Sequence, residues 1–482
     1  MAIVTRVDLL RNRRTKIVAT IGPASNQPGT CRALIEAGVN VFRLNMSHGE
    51  HAAHRTALEM IRKTADELSV PVAVMADLCG PKIRTGRFEG GEITLVDGAT
   101  VTVTTREVVG TDGLIPSQYE ALPGDVEPGD RILLADGLLE LQVVSVDGTD
   151  VSCRVVHGGV LGNNKGMNLP GVAVSAPSLT PKDILDAEFA ADLGVDYLAL
   201  SFVRRASDID VLRDLLEANG SAAQIIAKIE KPEALENAED ILEVADGIMV
   251  ARGDLGVELP PEEVPVAQDA LIEMAREHGK PVIVATQMLE SMITNSRPTR
   301  AEVTDVSHAV VSGADAVMLS GETAVGQFPV EAVQIMDRVC KQTEAHLWSG
   351  GRYGAPRIDS KPPLPVWTVI ANATAHISKD VLARGIMVIS RSGTSAATVS
   401  AARPAAPVVG ITGEPAIYRR MALLWGLIPL LVDEAGSANP NELSRSIARE
   451  LGLADPGEYV LLVRGFHDDP SLNSPSVTVI TV

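Results

Sequence analysis

From Thr15 the chain alternates short apolar runs with longer stretches of helical periodicity. IVATIG (17–22), VNVFRLN (39–45) and VAVMADL (72–78) are β-branched and nearly continuous in apolar residues, the pattern of strands buried on both faces. The rhythm then breaks. From Cys79 to Ala176 the runs are short and rich in Val and Thr (EITLV, TVTVTT, RILLAD, LELQVVSV, VSCRVV), with Asp97-Gly98 and Asp147-Gly148 as turn signals between them. That pattern predicts a small antiparallel β domain over residues 79–176, inserted in the chain. The first rhythm resumes with a helix that has Thr180 as N-cap, Pro181 at its first position and Gly194 as its stop. YLALSF (197–202), IIAKIE (225–230), GIMVAR (247–252), PVIVATQ (281–287) and AVMLSGE (316–322) follow as strands. In one intervening helix Ala267, Leu271, Met274 and Ala275 share a face and Gly279 ends it. Another opens with Thr299 and Glu302 at capping-box spacing, so Glu302 reads as a cap rather than a catalyst.

Eight strand candidates, each followed by a helix, predict an α/β fold built on a (β/α)8 TIM barrel over residues 1–78 and 177–350. The inserted small β-barrel domain leaves after the third strand. SGGRYGAPRIDSKPPLP (349–365) reads as a linker, taken as 351–365. A helix near 366–384 and the runs IMVIS (386–390), PVVGIT (407–412), LIPLLV (427–432), YVLLVRG (459–465) and VTVITV (477–482) predict a separate C-terminal open-sheet α/β domain, residues 366–482.

Composition narrows the class. Aromatic residues are only 3% of the 482, so the cores must be built from Val, Ile, Leu and Ala. A net charge of −20 argues against non-specific nucleic-acid binding and means that a site for an anion must create its own positive field. Cys31, Cys79, Cys153 and Cys340 lie far apart with no CxxC pair, which fits a reducing compartment and no structural zinc. There is no apolar run of membrane-spanning length, and the first residues lack the apolar core of a signal peptide. A cytoplasmic location is expected.

The candidate chemistry sits where the apolar runs end. Lys228 and Glu230 close one buried strand, and Arg252 and Asp254 close the next. A lone carboxylate there would be a turn residue or a cap. Two carboxylates and a lysine at neighbouring strand ends suit a hard divalent cation and an anionic substrate. Arg43, Asn45, Asp77, Ser201, Thr286, Ser320 and Glu322 also fall at C-terminal strand ends, the active-site face of a barrel. Ser201 and Phe202 are equally compatible with packing of a strand end, and His48 with a satisfied loop histidine. In SRSGTSAA (390–397) the residues Ser390, Ser392, Gly393, Thr394 and Ser395 stand between a strand and a small-residue helix, an arrangement that holds a phosphate or simply caps a turn. There is no Walker A motif and no GxGxxG loop.

Over nearly its whole length the chain resembles the pyruvate kinase family. TKIVATIGPAS, NVFRLNMSHG, GPKIRTG, NNKGMNLPG, AKIEKPEA, MVARGDLGVELP, ATQMLESM, RPTRAEVTD and MLSGETAVG occur in the family's order, and AKIEKPEA followed by MVARGDLGVE is highly specific. The resemblance implies phosphoryl transfer from phosphoenolpyruvate to ADP, giving pyruvate and ATP. It implies Mg²⁺ or Mn²⁺ on Glu230 and Asp254 with main-chain groups near Ala251 and Gly253. Lys228 and Arg43 are then the residues that handle the phosphoryl group, and Thr286, Ser320 and Glu322 line the substrate carboxylate and the face where the enolate is protonated. Asn45, His48, Arg84 and Lys165 match nucleotide contacts. Lys165 is on the inserted domain, so that domain's closure completes the site. The family is usually a homotetramer.

Three single positions and one C-terminal stretch depart from the common pattern. Potassium-dependent members hold the ion with residues matching Asn45, Ser47, Asp77 and the carbonyl of Leu78, and carry Glu two residues before the Arg of Ile-Arg-Thr-Gly. Here that position is Lys82, and Leu78 replaces the usual Thr. The expectation is that Lys82, pairing with Asp77, stands in for potassium, so that potassium is not required. Val325 stands where many members have Lys, and RGFHDDPSLNSPSV (464–477) lacks the Trp/Arg-rich pattern of fructose-bisphosphate-regulated members. A sugar phosphate, AMP or no effector at all fits. A metal-dependent lyase on the same barrel would share the Glu/Asp pair but would not need the insert or Lys165. A non-catalytic phosphometabolite sensor could dispense with Lys228 and Glu230, and both are present.

Overall fold

Eight five-residue-scale runs of Val, Ile, Ala and Met with no polar alternation can only be strands covered on both sides, and they close on themselves. In the computed structural model, which describes residues 13–353, 364–433, 439–465 and 474–482, the strands β1 Lys16–Thr20, β2 Val41–Asn45, β3 Ala73–Asp77, β4 Tyr197–Leu200, β5 Gln224–Ile229, β6 Gly247–Ala251, β7 Val282–Ala285 and β8 Ala316–Leu319 form one parallel closed barrel in that order. Parallel register aligns all the C-terminal ends: Asn45 is opposite Asp77, and Asp77 is opposite Ala199. The barrel interior is packed by Val18, Val41, Met75, Tyr197, Ile226, Met249, Ile283 and Met318. Methionine there fills volume that the aromatic-poor sequence does not. A larger apolar layer lies between the strands and the surrounding helices.

Local chemistry sets the helix boundaries as expected. Thr180 accepts a hydrogen bond from Asp183 N–H in a capping box, and Gly194 ends that helix with φ of 66°. Thr299 and Glu302 form the second capping box, and Glu302 also accepts from Ser291 N–H at 2.7 Å. The helix Val264–Glu277 is followed by Gly279 with φ of 66°. Its buried stripe is Gln268, Leu271, Ile272 and Ala275, with Ala267 and Met274 only partly covered.

The insertion leaves after β3 and returns before the helix Pro181–Leu193. It is a curled, barrel-like six-stranded sheet with a two-stranded ribbon around its own apolar core. One pair differs from the antiparallel expectation. Thr100–Thr104 runs parallel to Leu114–Pro116, because the intervening loop carries the chain back before the strand begins. Barrel groups pin both connectors: Gly80 N–H donates to Asp183 Oδ1 at 3.0 Å, and Arg204 donates to Ala176 O at 2.7 Å.

The C-terminal unit has the helix Val366–Asp380 and a sheet of β9 Ile386–Ile389, β10 Val408–Thr412, β11 Leu427–Leu431, β12 Tyr459–Arg464 and β13 Ser476–Thr481, ordered β11-β10-β9-β12-β13. Only β13 is antiparallel to its neighbour. The unit caps the N-terminal end of the barrel. Arg403 grips Asp315 with contacts of 3.0 and 2.9 Å, and Lys16 Nζ donates to Leu427 O at 2.7 Å. Arg14 lies 4.9 and 5.2 Å from the ring centroids of Tyr353 and Trp425. Most of the linker (354–363), the middle of the C-terminal stretch (466–473) and residues 1–12 lie outside the described residues. No helix among the described residues is long and apolar enough to cross a membrane.

Candidate active site

At the C-terminal mouth of the barrel, charges that are distant in sequence meet across adjacent strands. β3 and β5 flank β4, and β4 ends at Leu200. This brings Asp77 from one side, Lys228 from the other and Ser201 between them. Lys228 Nζ donates to Ser201 Oγ at 2.6 Å and lies 3.3 Å from Asp77 Oδ1 and 2.8 Å from Glu230 Oε1. Ser201 Oγ in turn donates to Leu78 O at 2.7 Å. From β2, Arg43 Nε donates to Asp77 Oδ2 at 2.6 Å and Nη1 to Thr20 Oγ1 at 3.1 Å.

Burial and charge pull these groups in opposite directions. Burial works to raise the Asp77 carboxyl, but Arg43 and then Lys228 outweigh it and hold the group below its ordinary range. Burial works to lower Lys228, but Asp77 and Glu230 more than offset it, so the ammonium is held charged. Glu230 goes the other way. Its burial raises it, Lys228 opposes this, and the nearby Asp254 adds to the rise. Glu230 Oε2 accepts from Phe202 N–H at 2.8 Å. That N–H is aimed by a positive φ of 55° at Phe202, a strained conformation for a bulky residue and one that clusters at functional sites.

Glu230 Oε1 is buried, is charge-paired to Lys228 at 2.8 Å, and yet makes no hydrogen bond of proper direction. A carboxylate oxygen left in that condition has a lone pair to give. Asp254, third residue of the short helix Arg252–Glu258, lines the same pocket with Ala251, Arg43, Asn45, Ser47, His48, Asp77, Leu78, Lys82, Arg84, Thr286 and Ser320. Among the described residues no cluster of three or more His, Cys, Asp or Glu side chains forms a metal cage. Two carboxylates with free coordination positions fit Mg²⁺ or Mn²⁺, which keep places for water and substrate oxygens.

Several residues differ from their sequence-based roles. Glu322, expected on the catalytic face, is fully buried behind it. Its Oε2 accepts from Ser320 N–H at 2.7 Å and its Oε1 from Leu289 N–H at 3.0 Å, so it shapes the loop that presents Ser320. Arg252, expected to converge on the mouth, turns away because Asp305 draws it at 2.6 Å; it also donates to Thr286 O at 2.6 Å and so clamps the end of β7. Thr286 has φ of 69°, and its hydroxyl accepts from Gly253 N–H at 2.7 Å while donating to Ala285 O at 2.6 Å. It therefore fixes the turn that carries Asp254. The expected Asp77–Lys82 pair does not form. Asp77 is taken by Arg43 and Lys228, and Lys82, exposed on the pocket rim, makes no ion pair among the described residues.

Asn45 Oδ1 accepts from Ser47 N–H at 3.2 Å, an Asx turn that shapes the loop before His48. Arg84 donates to Asn164 O at 3.1 Å, and Lys165 sits beside it, exposed on the inserted domain and outside the pocket wall. Sequence reasoning left Ser201 open and missed Thr20 and the Phe202 N–H. A hydroxyl directly after an apolar run was the only signal for Ser201, and a backbone group carries none.

The loop 390–397 lies at the other end of the molecule. Gly393, with φ of 97°, starts the helix Thr394–Ala401; its N–H donates to Ser390 Oγ at 3.1 Å, and Ser395 is buried. Ser392, Gly393 and Thr394 border a cavity of about 290 Å³ between the C-terminal unit and the N-terminal end of the barrel. It is larger than the mouth pocket, about 110 Å³, and its charged lining is Asp246, Lys280 and Arg420.

Fixed positive charge beside two carboxylates, at the C-terminal face of a barrel with an inserted domain above it, is what phosphoryl transfer asks of a protein, and it defines the molecule as a phosphotransferase of the barrel type. Comparison with known proteins gives the family. The model of the pyruvate kinase barrel domain matches residues 12–333 and that of the pyruvate kinase alpha/beta domain residues 368–477. Pyruvate kinase 2 of Synechocystis is 45% identical over 94% of this chain and 76% of its own. The pyruvate kinase of Mycobacterium intracellulare is 44% identical over 94% and 95%. A crystal structure of a pyruvate kinase from Cryptosporidium parvum superposes with a TM-score of 0.90 at 37% identity, covering 98% of this chain and 97% of the other. The chain belongs to the pyruvate kinase family.

Proposed function

We propose that this chain transfers the phosphoryl group of phosphoenolpyruvate to ADP, giving pyruvate and ATP. The P–O bond to the enol oxygen breaks, a P–O bond to the terminal phosphate oxygen of ADP forms, and the enolate takes a proton at its methylene carbon. The observation that carries this reading is the Lys228 ammonium, held by Asp77 and Glu230 within 3.3 Å and presented beside Arg43 at the barrel mouth. Charge fixed in place before the reaction needs no reorganisation when the phosphoryl group is in flight.

Glu230 and Asp254 are the residues that would hold Mg²⁺ or Mn²⁺, with main-chain groups at Ala251 and Gly253. Such an ion supplies a Lewis acid that neutralises phosphate and enolate oxygens. Arg43 binds the phosphate through its guanidinium fork. Lys228 stays charged and faces the enolate oxygen. Thr286 orients Gly253, and Ser320 borders the face on which the proton arrives. Asn45, His48 and Arg84 receive the nucleotide, with Lys165 brought in by the inserted domain. Lys82, on the rim of the pocket, supplies the charge for which other members use potassium. The loop at Ser390, Ser392, Gly393, Thr394 and Ser395 is the place for an effector phosphate, from a sugar phosphate or AMP. A cytoplasmic homotetramer completes the reading.

The test is pyruvate formation from phosphoenolpyruvate and ADP with Mg²⁺ in a Tris buffer free of sodium and potassium, repeated with potassium added. Full activity without potassium is expected. Activity only after potassium is added keeps the kinase and removes the role of Lys82. No pyruvate in either buffer, from folded protein with candidate effectors present, overturns the assignment.

A further inference from the structure

One buried carboxylate outside the reaction centre joins three parts of the molecule. Glu258 closes the helix Arg252–Glu258 one turn beyond Asp254, and its side chain is 1% exposed. Lys231 Nζ, on the residue after Glu230, donates to its Oε1 at 2.6 Å. Asn168 Nδ2, from the inserted domain, donates to the same oxygen at 3.1 Å. The second oxygen, Oε2, is buried without a hydrogen-bond partner. While the inserted domain is docked, a carboxylate this buried depends on both donors, because no other protein group reaches its oxygens. Asn168 belongs to the short strand Met167–Asn168, which pairs with Leu133 and Leu134, so its amide moves with the inserted sheet rather than with a loose loop. Asn168, Lys231 and Asp254 also line one cleft between the inserted domain and the barrel.

We propose that Glu258 is a positioning residue, a clasp through which docking of the inserted domain sets the two metal-binding carboxylates. One donor to Glu258 neighbours Glu230 in sequence, Glu258 shares a helix with Asp254, and the other donor is on the lid. When the inserted domain swings out, Asn168 leaves, and Glu258 keeps only Lys231 and can be reached by water. When it swings in, the charge is buried again and the helix carrying Asp254 is held at both ends, by Thr286 on Gly253 N–H and by the clasp on Glu258. Closure and metal-site order are then a single event. The inference rests on the proposed metal role of Glu230 and Asp254.

The test uses the full chain and the variants Asn168→Ala, Glu258→Ala and the double variant. Hydrogen exchange of the inserted domain and its connectors is read without substrates, and Mn²⁺ binding with phosphoenolpyruvate, kcat and KM for ADP are read separately. N168A removes a contact at the domain interface and leaves both cores intact. It is expected to speed exchange at the connectors and to raise KM for ADP about tenfold, the scale of one lost hydrogen bond to a charged group, with kcat falling less. E258A is expected to weaken Mn²⁺ binding as well, and the double variant to be no worse than E258A, because without the carboxylate Asn168 has no contact left to lose. Unchanged exchange and a KM for ADP within about twofold of the parent in N168A, or strictly additive effects in the double variant, overturn the clasp. If the parent forms no pyruvate, the proposed function fails, while exchange and Mn²⁺ binding still decide the clasp.

Discussion

Replacing Lys228 by Met removes the ammonium and keeps most of the side-chain volume. The structure sets the scale. Its two carboxylate contacts, at 2.8 and 3.3 Å, are worth about 6 and about 5 kcal/mol of attraction at an effective dielectric of about 20. Much of that is cancelled by taking the lysine out of water, so the net loss expected from breaking such a buried set is about 3–5 kcal/mol. The two carboxylates do not suffer equally. Asp77 keeps Arg43 at 2.6 Å, whereas Glu230 keeps only the Phe202 N–H and the repulsion of Asp254. Glu230 is already raised by burial, and without Lys228 it rises further. A carboxylate raised in the folded state gives stability that is fully present below its unfolded value and is lost as pH rises through the folded one. The stability deficit of K228M should therefore be small near pH 4 and grow as the pH rises toward neutrality, about the unfolded value of a glutamate upward. Denaturation midpoints of parent and variant across that range measure it. Turnover should fall about 10²- to 10³-fold, the scale for losing one preorganised charge. Lys228→Arg should recover most of the stability and little of the turnover, since the planar fork cannot reproduce the three contacts. A pH-independent stability loss would refute the charge argument. K228M turnover within about tenfold of the parent would refute the catalytic role.

Two further substitutions separate other roles. The parent is expected to be indifferent to potassium, and Lys82→Glu should be stimulated by it at least about tenfold, roughly 1.4 kcal/mol, measured as initial rates in Tris with and without the salt; equal rates in both for the variant would remove Lys82 from the cation argument. Glu322→Ala leaves two buried N–H groups unpaired and should cost about 1–3 kcal/mol for each together with turnover, while Glu322→Gln keeps one acceptor, faces the other N–H with a donor, and should fall between parent and Ala. An Ala variant with parental stability and turnover would overturn the support that Glu322 gives to Ser320 and Leu289.

The sequence determined the architecture because its information is local and periodic. Uninterrupted apolar runs must be strands covered on both faces, and eight of them alternating with helices close as a barrel. The capping boxes at Thr180 and Thr299 and the left-handed glycines Gly194 and Gly279 were legible for the same reason, since each satisfies backbone groups a few residues away. The barrel also turns strand ends into a shared face, and Arg43, Asp77, Lys228, Glu230 and Asp254 stand around one pocket there. What the sequence left undecided was the direction of each polar side chain, because that depends on which opposite charge lies nearest across strands far apart in the chain. Arg252 sits at a strand end like Lys228, yet Asp305 draws it outward. Glu322 follows Ser320 by two residues, yet it turns into the core to serve two backbone N–H groups. Asp77 was free to meet Lys82 only until Arg43 and Lys228 proved closer. The same holds for the clasp at Glu258, where a residue of the inserted sheet and two of the barrel share one buried oxygen. Periodicity is written in neighbours along the chain, whereas the pairing of buried charges is a competition in space that only the closed tertiary structure resolves.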